Sequence, residues 1–102
     1  MTQSAPIVLI TVYKCEPANQ EALIEHLTAL SGVQRGLDGF ISATLHQGLN
    51  GNRVANYAVW ATRQDWEAMT RKPAVAAAME PVMAIATFEP NLYEAGEVFN
   101  RD

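Results

Sequence analysis

Phe40-Ile41-Ser42-Ala43-Thr44-Leu45-His46-Gln47 and Arg53-Val54-Ala55-Asn56-Tyr57-Ala58-Val59-Trp60 are two strand-like runs separated by Gly48-Leu49-Asn50-Gly51-Asn52. Asn-Gly between two such runs is the strongest short-range sign of a β-hairpin. A two- or four-residue loop centred on Asn50-Gly51 puts Ile41, Ala43 and Leu45 on one face with Val54, Asn56, Ala58 and Trp60. The opposite face carries Phe40, Ser42, Thr44 and His46 with Arg53, Ala55, Tyr57 and Val59. From Ala55 to Trp60 both faces are substantially apolar, which is how a strand buried on both sides reads.

Outward from this hairpin, the remaining elements fall into place on each side. Ile7 to Tyr13 is β-branched and aromatic, is bounded by Pro6 and by Glu16-Pro17, and predicts a first strand. Asn19 is placed to cap a helix running to about Gly36, with Leu23, Leu27, Leu30 and Leu37 at helical spacing. Glu21, Glu25, Gln34 and Arg35 fall mainly on its other side. After the hairpin, Thr62-Arg63-Gln64-Asp65 has the form of a capping box and predicts a second helix. Pro73 kinks or restarts that helix, Ala74 to Met79 is helix-prone, and Pro81 argues against one unbroken helix as far as Ala86. Asn91 to Phe99 reads as a last strand weakened by Gly96. The order β-α-β-β-α-β is that of an α+β, ferredoxin-like sandwich, with one antiparallel sheet and two helical regions on one face.

The 102 residues make a single domain, 1–102. Seven basic and eleven acidic side chains give a net charge of −4, the wrong sign for a chain that must neutralise phosphates, so no nucleic acid partner is expected. One cysteine, Cys15, allows neither an intrachain disulfide nor a Cys-rich zinc site and suits a reducing compartment. No run approaches the ~20 apolar residues of a membrane span. Met1 to Pro6 lacks the basic start of a signal peptide, and the expectation is a cytoplasmic protein without a membrane partner. Phosphate-binding glycine loops, His-Glu-x-x-His and Gly-x-Ser-x-Gly are absent, which removes nucleotide enzymes, zincins and α/β-hydrolases.

Two helical regions in so small a chain cover one face of a sheet. The other face, carrying Tyr57 and Val59, would be a large exposed apolar patch unless something covers it. A second copy of the sheet is the economical cover, and a homodimer through the sheet face is expected.

The stretch Gly39-Phe40-Ile41-Ser42-Ala43-Thr44-Leu45-His46, then Asn50-Gly51, Asn56-Tyr57-Ala58-Val59-Trp60 and Asp65-Trp66-Glu67, resembles the antibiotic biosynthesis monooxygenase family. The resemblance implies a dimeric α+β barrel and an oxygenase without haem, flavin or metal, acting with O2 on a small quinol, anthrone or phenolic substrate. A non-catalytic ligand-binding dimer and a cofactor-free isomerase are the alternatives on the same scaffold. Asn56 and Trp60 match the Asn and Trp that line the substrate cavity in anthrone-type members, which marks them as catalytic candidates. Trp66 stands where those members have a Tyr, and its indole can donate a hydrogen bond but cannot relay a proton. Where they carry an Arg on the late helical segment, this chain has Ala76 to Glu80. Haem-degrading members carry a histidine after the matching Trp, whereas the last histidine here is His46, so no haem is expected.

The residues themselves support part of this. Asn56 is the one amide on an otherwise apolar face, and a buried amide needs either a protein partner or a ligand. Trp60 serves as core or as cavity wall. Histidine is the obvious general base near neutral pH, which makes His46 a candidate, but the hairpin register puts it on the face opposite Asn56. Trp66, Tyr57 and His46 complete the candidate substrate-binding set, with Tyr13 as a further hydrogen-bonding candidate. Glu80 is a candidate base that reads equally as a solvated carboxylate. His26 reads as a helix-flank residue and Cys15 as a packing residue.

Overall fold

The structure, a computed structural model, describes residues 5–102. The Met1–Ser4 part of the supposed leader-free start lies outside the described residues. Strand β1 (Ile7–Cys15) leads through a 3-10 turn (Pro17–Asn19) into α1 (Gln20–Gln34). The hairpin β2 (Phe40–Gln47) and β3 (Arg53–Trp60) follows, then α2 (Arg63–Thr70), α3 (Pro73–Ile85) and β4 (Ala86–Glu94). The four strands form one antiparallel sheet in the order β2-β3-β1-β4. This is the α+β ferredoxin-like fold predicted from the element order. Among the described residues no helix is long and apolar enough to cross a membrane.

The hairpin register is the one read from Asn50-Gly51. Leu45 pairs with Asn56 and Ala43 with Ala58, around a four-residue Leu49–Asn52 loop closed by Gly48 N–H donating to Arg53 O at 2.8 Å. Gly51 takes φ +81°, where glycine carries no Cβ penalty. Gln20 fixes this loop to the start of α1, its Nε2 donating to Gly48 O (2.9 Å) and Arg53 O (3.0 Å).

One position departs from the simple alternation. A bulge between Phe40 and Ser42 makes Phe40, not Ile41, the partner of Trp60. Phe40 packs edge-to-face on the Trp60 indole, with centroids 5.3 Å apart, and Ile41 is left 53% exposed. An extra residue in one strand inverts the facing of everything before it, so Phe40 takes the place expected of Ile41.

On β1, inward Leu9, Thr11 and Tyr13 alternate with exposed Ile10, Val12 and Lys14. With Val54, Asn56, Ala58 and Trp60 of β3 they form the face beneath the helices. Leu23, Leu27 and Leu30 of α1, Met69 of α2 and Val75 and Val82 of α3 close the core over them. Burying each such side chain contributes about 1.5–3 kcal/mol relative to leaving it in water.

Four expectations about boundaries and caps need correction. Asn19 occupies the cap position of α1 but makes no side-chain cap bond, because the preceding 3-10 turn already delivers the chain in helical geometry. Gln34 is buried rather than outward, its Nε2 donating to Met69 Sδ at 3.4 Å. Pro73 does restart the helix at its first position, but α3 then runs through Pro81 to Ile85. Proline removes one intrahelical bond, and the adjacent fully buried Val82 holds the helix in place. Finally, β4 starts at Ala86 and ends before Gly96, not at Phe99. Pro90 is tolerated because β4 is an edge strand, where a missing N–H need not interrupt a ladder. The Thr62 cap formed as predicted, with Asp65 N–H donating to Thr62 Oγ1 at 3.0 Å.

Candidate functional site

Beneath the helices, and reaching to β4, lies a cavity of about 300 Å³. Its floor is the sheet, with Thr11 and Tyr13 of β1, Asn56 of β3 and Phe88 of β4. Its walls include Trp66 and Met69 of α2 and Met79 and Met83 of α3, with Gln34 of α1 at one end. The apolar residues dominate.

Among the described residues, four buried side-chain polar atoms have no hydrogen-bond partner. Three of the four belong to residues that line this one cavity: Thr11 Oγ1, Asn56 Oδ1 and Trp66 Nε1. The fourth, Asn52 Oδ1, belongs to the hairpin loop. Burying a polar group without a partner costs roughly 1–3 kcal/mol. Such a cost concentrated around one apolar cavity makes it the candidate ligand site.

The strands explain the placement. Thr11 and Asn56 are direct partners across β1 and β3, so both project from the same pleat beneath α2 and α3. The Thr62 cap sets where α2 begins, and one turn later Trp66 reaches the same space. Close packing continues behind the cap: a side chain at Gly39, whose φ is +83°, would run into Asp65.

Among the described residues Tyr13 is the one titratable side chain on the cavity lining, and burial pushes its phenol up to about 12. It therefore stays neutral, able to donate but not to act as a base near neutral pH. The Cys15 thiol, raised by burial and by the neighbouring Glu16 carboxylate, is a poor nucleophile. Among the described residues no group of three or more His, Cys, Asp or Glu side chains could hold a metal ion.

The structure thus brings Asn56 and Trp66 together and separates the rest of the predicted set. Trp60 is fully buried and packed on Phe40, and it does not line the cavity, contrary to the expectation that it would stand beside Asn56 there. Four residues of strand put it two pleats away, and the bulge supplies an aromatic neighbour that closes over it. Tyr57 and His46 lie on the opposite, open face, His46 opposite Ala55, and cannot reach the same ligand. Glu80 is exposed and outside the lining, and His26 is half-buried on α1. Thr11 is the residue that sequence reasoning missed. Its signal was present: it is the only polar side chain on the inward face of β1 between Leu9 and Tyr13, and the strand pairing sets it against Asn56.

Comparison with known proteins places this geometry. A family model described as antibiotic biosynthesis monooxygenase matches residues 6–81. The tetracenomycin-F1 monooxygenase of Streptomyces glaucescens is 36% identical over 66 residues. That match covers 64% of this chain and 59% of the relative, so the chain spans well under two thirds of that protein's length. The crystal structure of SnoaB, a cofactor-independent oxygenase from Streptomyces nogalater, superposes with a TM-score of 0.82 at 18% identity. It covers 96% of this chain and 100% of that one. PA3566 from Pseudomonas aeruginosa gives a TM-score of 0.81 at 19% identity, covering 95% of this chain and 100% of its own. At these identities the structural likenesses establish the fold.

Proposed function

The chain belongs to the antibiotic biosynthesis monooxygenase family, and we propose that it is a cofactor-independent monooxygenase acting on a small aromatic quinol, anthrone or phenol. The observation that carries this reading is that Thr11, Asn56 and Trp66, each with a buried side-chain polar atom lacking a partner, line one apolar cavity. Its polar groups suit an aromatic ligand bearing oxygens along one edge. The descriptions of tetracenomycin-F1 monooxygenase and SnoaB point the same way.

In this reaction the substrate supplies the electrons. Its anion, delocalised from oxygen to a ring carbon, forms a C–O bond to O2 at that carbon, and the resulting peroxide takes up a proton. Loss of water from the hydroperoxide leaves a carbonyl, so one oxygen atom ends on carbon and the other in water. The protein's part is to orient the ring, limit water and donate to the oxyanion from Thr11 O–H, Trp66 N–H and the Asn56 amide N–H, while Asn56 Oδ1 accepts from a substrate hydroxyl.

Two copies joined through the open sheet face complete the proposal. Ile10, Val12, Tyr57 and Tyr93 stand exposed on that face, each more than a third accessible, and a second copy would cover them. The cavity lies on the other side of the sheet, so each protomer keeps its own site.

Oxygen uptake measured on a panel of anthrones, naphthoquinols and phenols tests the activity. Stoichiometric O2 consumption with a quinone product is expected for at least one class. Uptake no faster than the uncatalysed rate across the panel overturns the oxygenase reading in favour of a binding protein or isomerase.

A further inference from the structure

Three of the chain's four methionines, Met69, Met79 and Met83, line the cavity. They come from two helices and stand at graded depth. Met69 of α2 is buried, and its Sδ accepts from Gln34 Nε2 at 3.4 Å. Met79 of α3 is half-buried, and Met83, one turn further along the same helix, is 57% exposed. Ala76, Met79 and Met83 fall at helical spacing and share one face of α3. Ala76 and Met83 are exposed, so the lining meets solvent on either side of Met79.

A thioether differs from a leucine of similar size in two ways. It makes favourable contacts with the edges of aromatic rings, and it can be oxidised by two electrons to the sulfoxide. We propose that Met79 is a site of oxygen-atom transfer, where a hydroperoxide carried on an aromatic body enters the cavity and is reduced by the Met79 thioether. A lone pair of Sδ attacks the terminal oxygen of the hydroperoxide, and the O–O bond breaks. The new S–O bond makes methionine sulfoxide, while the other oxygen takes the proton and leaves as the alcohol. Sulfur loses two electrons and the peroxide gains two, so the step balances without a metal or a further reductant. The hydroperoxide of the oxygenase reaction above belongs to this class; the transfer itself needs only the cavity and its sulfurs.

Depth decides which sulfur reacts. Met83 meets any oxidant in solution, whether or not the oxidant binds. Met69 is buried, and its sulfur is engaged by Gln34. Of the three, Met79 is both part of the apolar lining and next to its opening, within reach of a hydroperoxide seated against that lining. A bulky oxidant that did not bind would show the opposite preference, because bulk is kept from a half-buried sulfur more than from an exposed one. The sulfoxide puts a polar group in the wall and weakens its hold on an apolar ring until a sulfoxide reductase restores the thioether.

Limited oxidation of the full chain with hydrogen peroxide and with cumene hydroperoxide, read by peptide mass spectrometry at Met69, Met79 and Met83, tests this. Hydrogen peroxide should follow exposure, with Met83 ahead of Met79 and Met79 ahead of Met69. Cumene hydroperoxide should raise the Met79-to-Met83 ratio severalfold above that value, and its rate at Met79 should saturate with concentration. In urea, with the cavity lost, the two oxidants should give the same ratio. Met79→Leu, which conserves volume, should remove the saturable part of cumene hydroperoxide consumption.

A ratio that is equal or lower with cumene hydroperoxide overturns the proposal. So does a raised ratio that persists in urea, which would trace it to the local sequence, and so does saturable consumption that survives in Met79→Leu. Oxygen uptake on the quinol and anthrone panel reads the oxygenase reaction alone, so either reading can fail while the other stands.

Discussion

Thr11 and Asn56 face each other across β1 and β3, both buried, and neither side-chain oxygen has a partner. In a sheet, opposite polar residues ordinarily satisfy one another or the backbone. Here both belong to residues lining one apolar cavity, and neither oxygen is satisfied by the protein.

Asn56→Ala should separate function from folding. Turnover should fall by ~10²–10³ if the amide supports the developing oxyanion. Stability should hold or rise, because the amide oxygen has no partner to lose. Steady-state rates alongside urea unfolding check both halves, and a variant with unimpaired turnover counts against Asn56.

Trp60→Ala should do the reverse. The indole is fully buried against Phe40, and removing it should cost about 3–5 kcal/mol of stability. The unfolding midpoint in denaturant is the direct readout. Trp60→Phe should recover much of that loss and keep ligand binding near the unaltered level, since Trp60 does not line the cavity.

Tyr13 ties stability to alkaline pH. Its phenol is raised from 10.0 to about 12 by burial, so the folded state retains a proton that the unfolded chain has lost between those values. The stabilisation is complete below pH 10 and disappears as pH rises to about 12, a loss on the order of 2–3 kcal/mol. Denaturant unfolding at stepped pH should show this slope, and Tyr13→Phe should remove it.

The open face should join two copies. Sedimentation equilibrium at micromolar concentration should return about twice 11.2 kDa. Tyr57→Asp, which puts a charge at the middle of the apolar face, should yield monomer or insoluble protein. A monodisperse monomer of the unaltered chain would remove the need for a partner sheet.

Hemin should not saturate a site. His26 on α1 and His46 on the open face are the two histidines, and neither lines the cavity. Titration followed in the Soret region should show no stoichiometric shift.

What the sequence disclosed and what it withheld follow from how local each signal is. Asn50-Gly51 and the alternation on either side of it fixed β2, β3 and their register, because turn chemistry and pleat are local. The Thr62 cap was equally legible. Three features were not. The bulge at Phe40 depends on how β2 leaves the Gly39 corner, and nothing in the strand pattern marks the extra residue. Gln34 is buried because Met69, thirty-five positions away, comes to meet it. Pro90 hides β4 in sequence and is permitted only by the edge position, which is a property of the assembled sheet. For the site, Asn56 and Trp66 stood out by residue type, whereas Thr11 became visible only once β1 was paired with β3.

The cavity has a stiff side and a soft side. Thr11 and Asn56 are fixed by the strand ladder, while Met69, Met79 and Met83 form much of the opposing wall. Unbranched thioethers repack at little cost and make favourable contacts with aromatic edges. The polar anchor can therefore stay in register while the wall reshapes around different ring systems. Changing the shape of the cavity needs substitutions on α2 and α3 alone, with the sheet that carries Thr11 and Asn56 left intact.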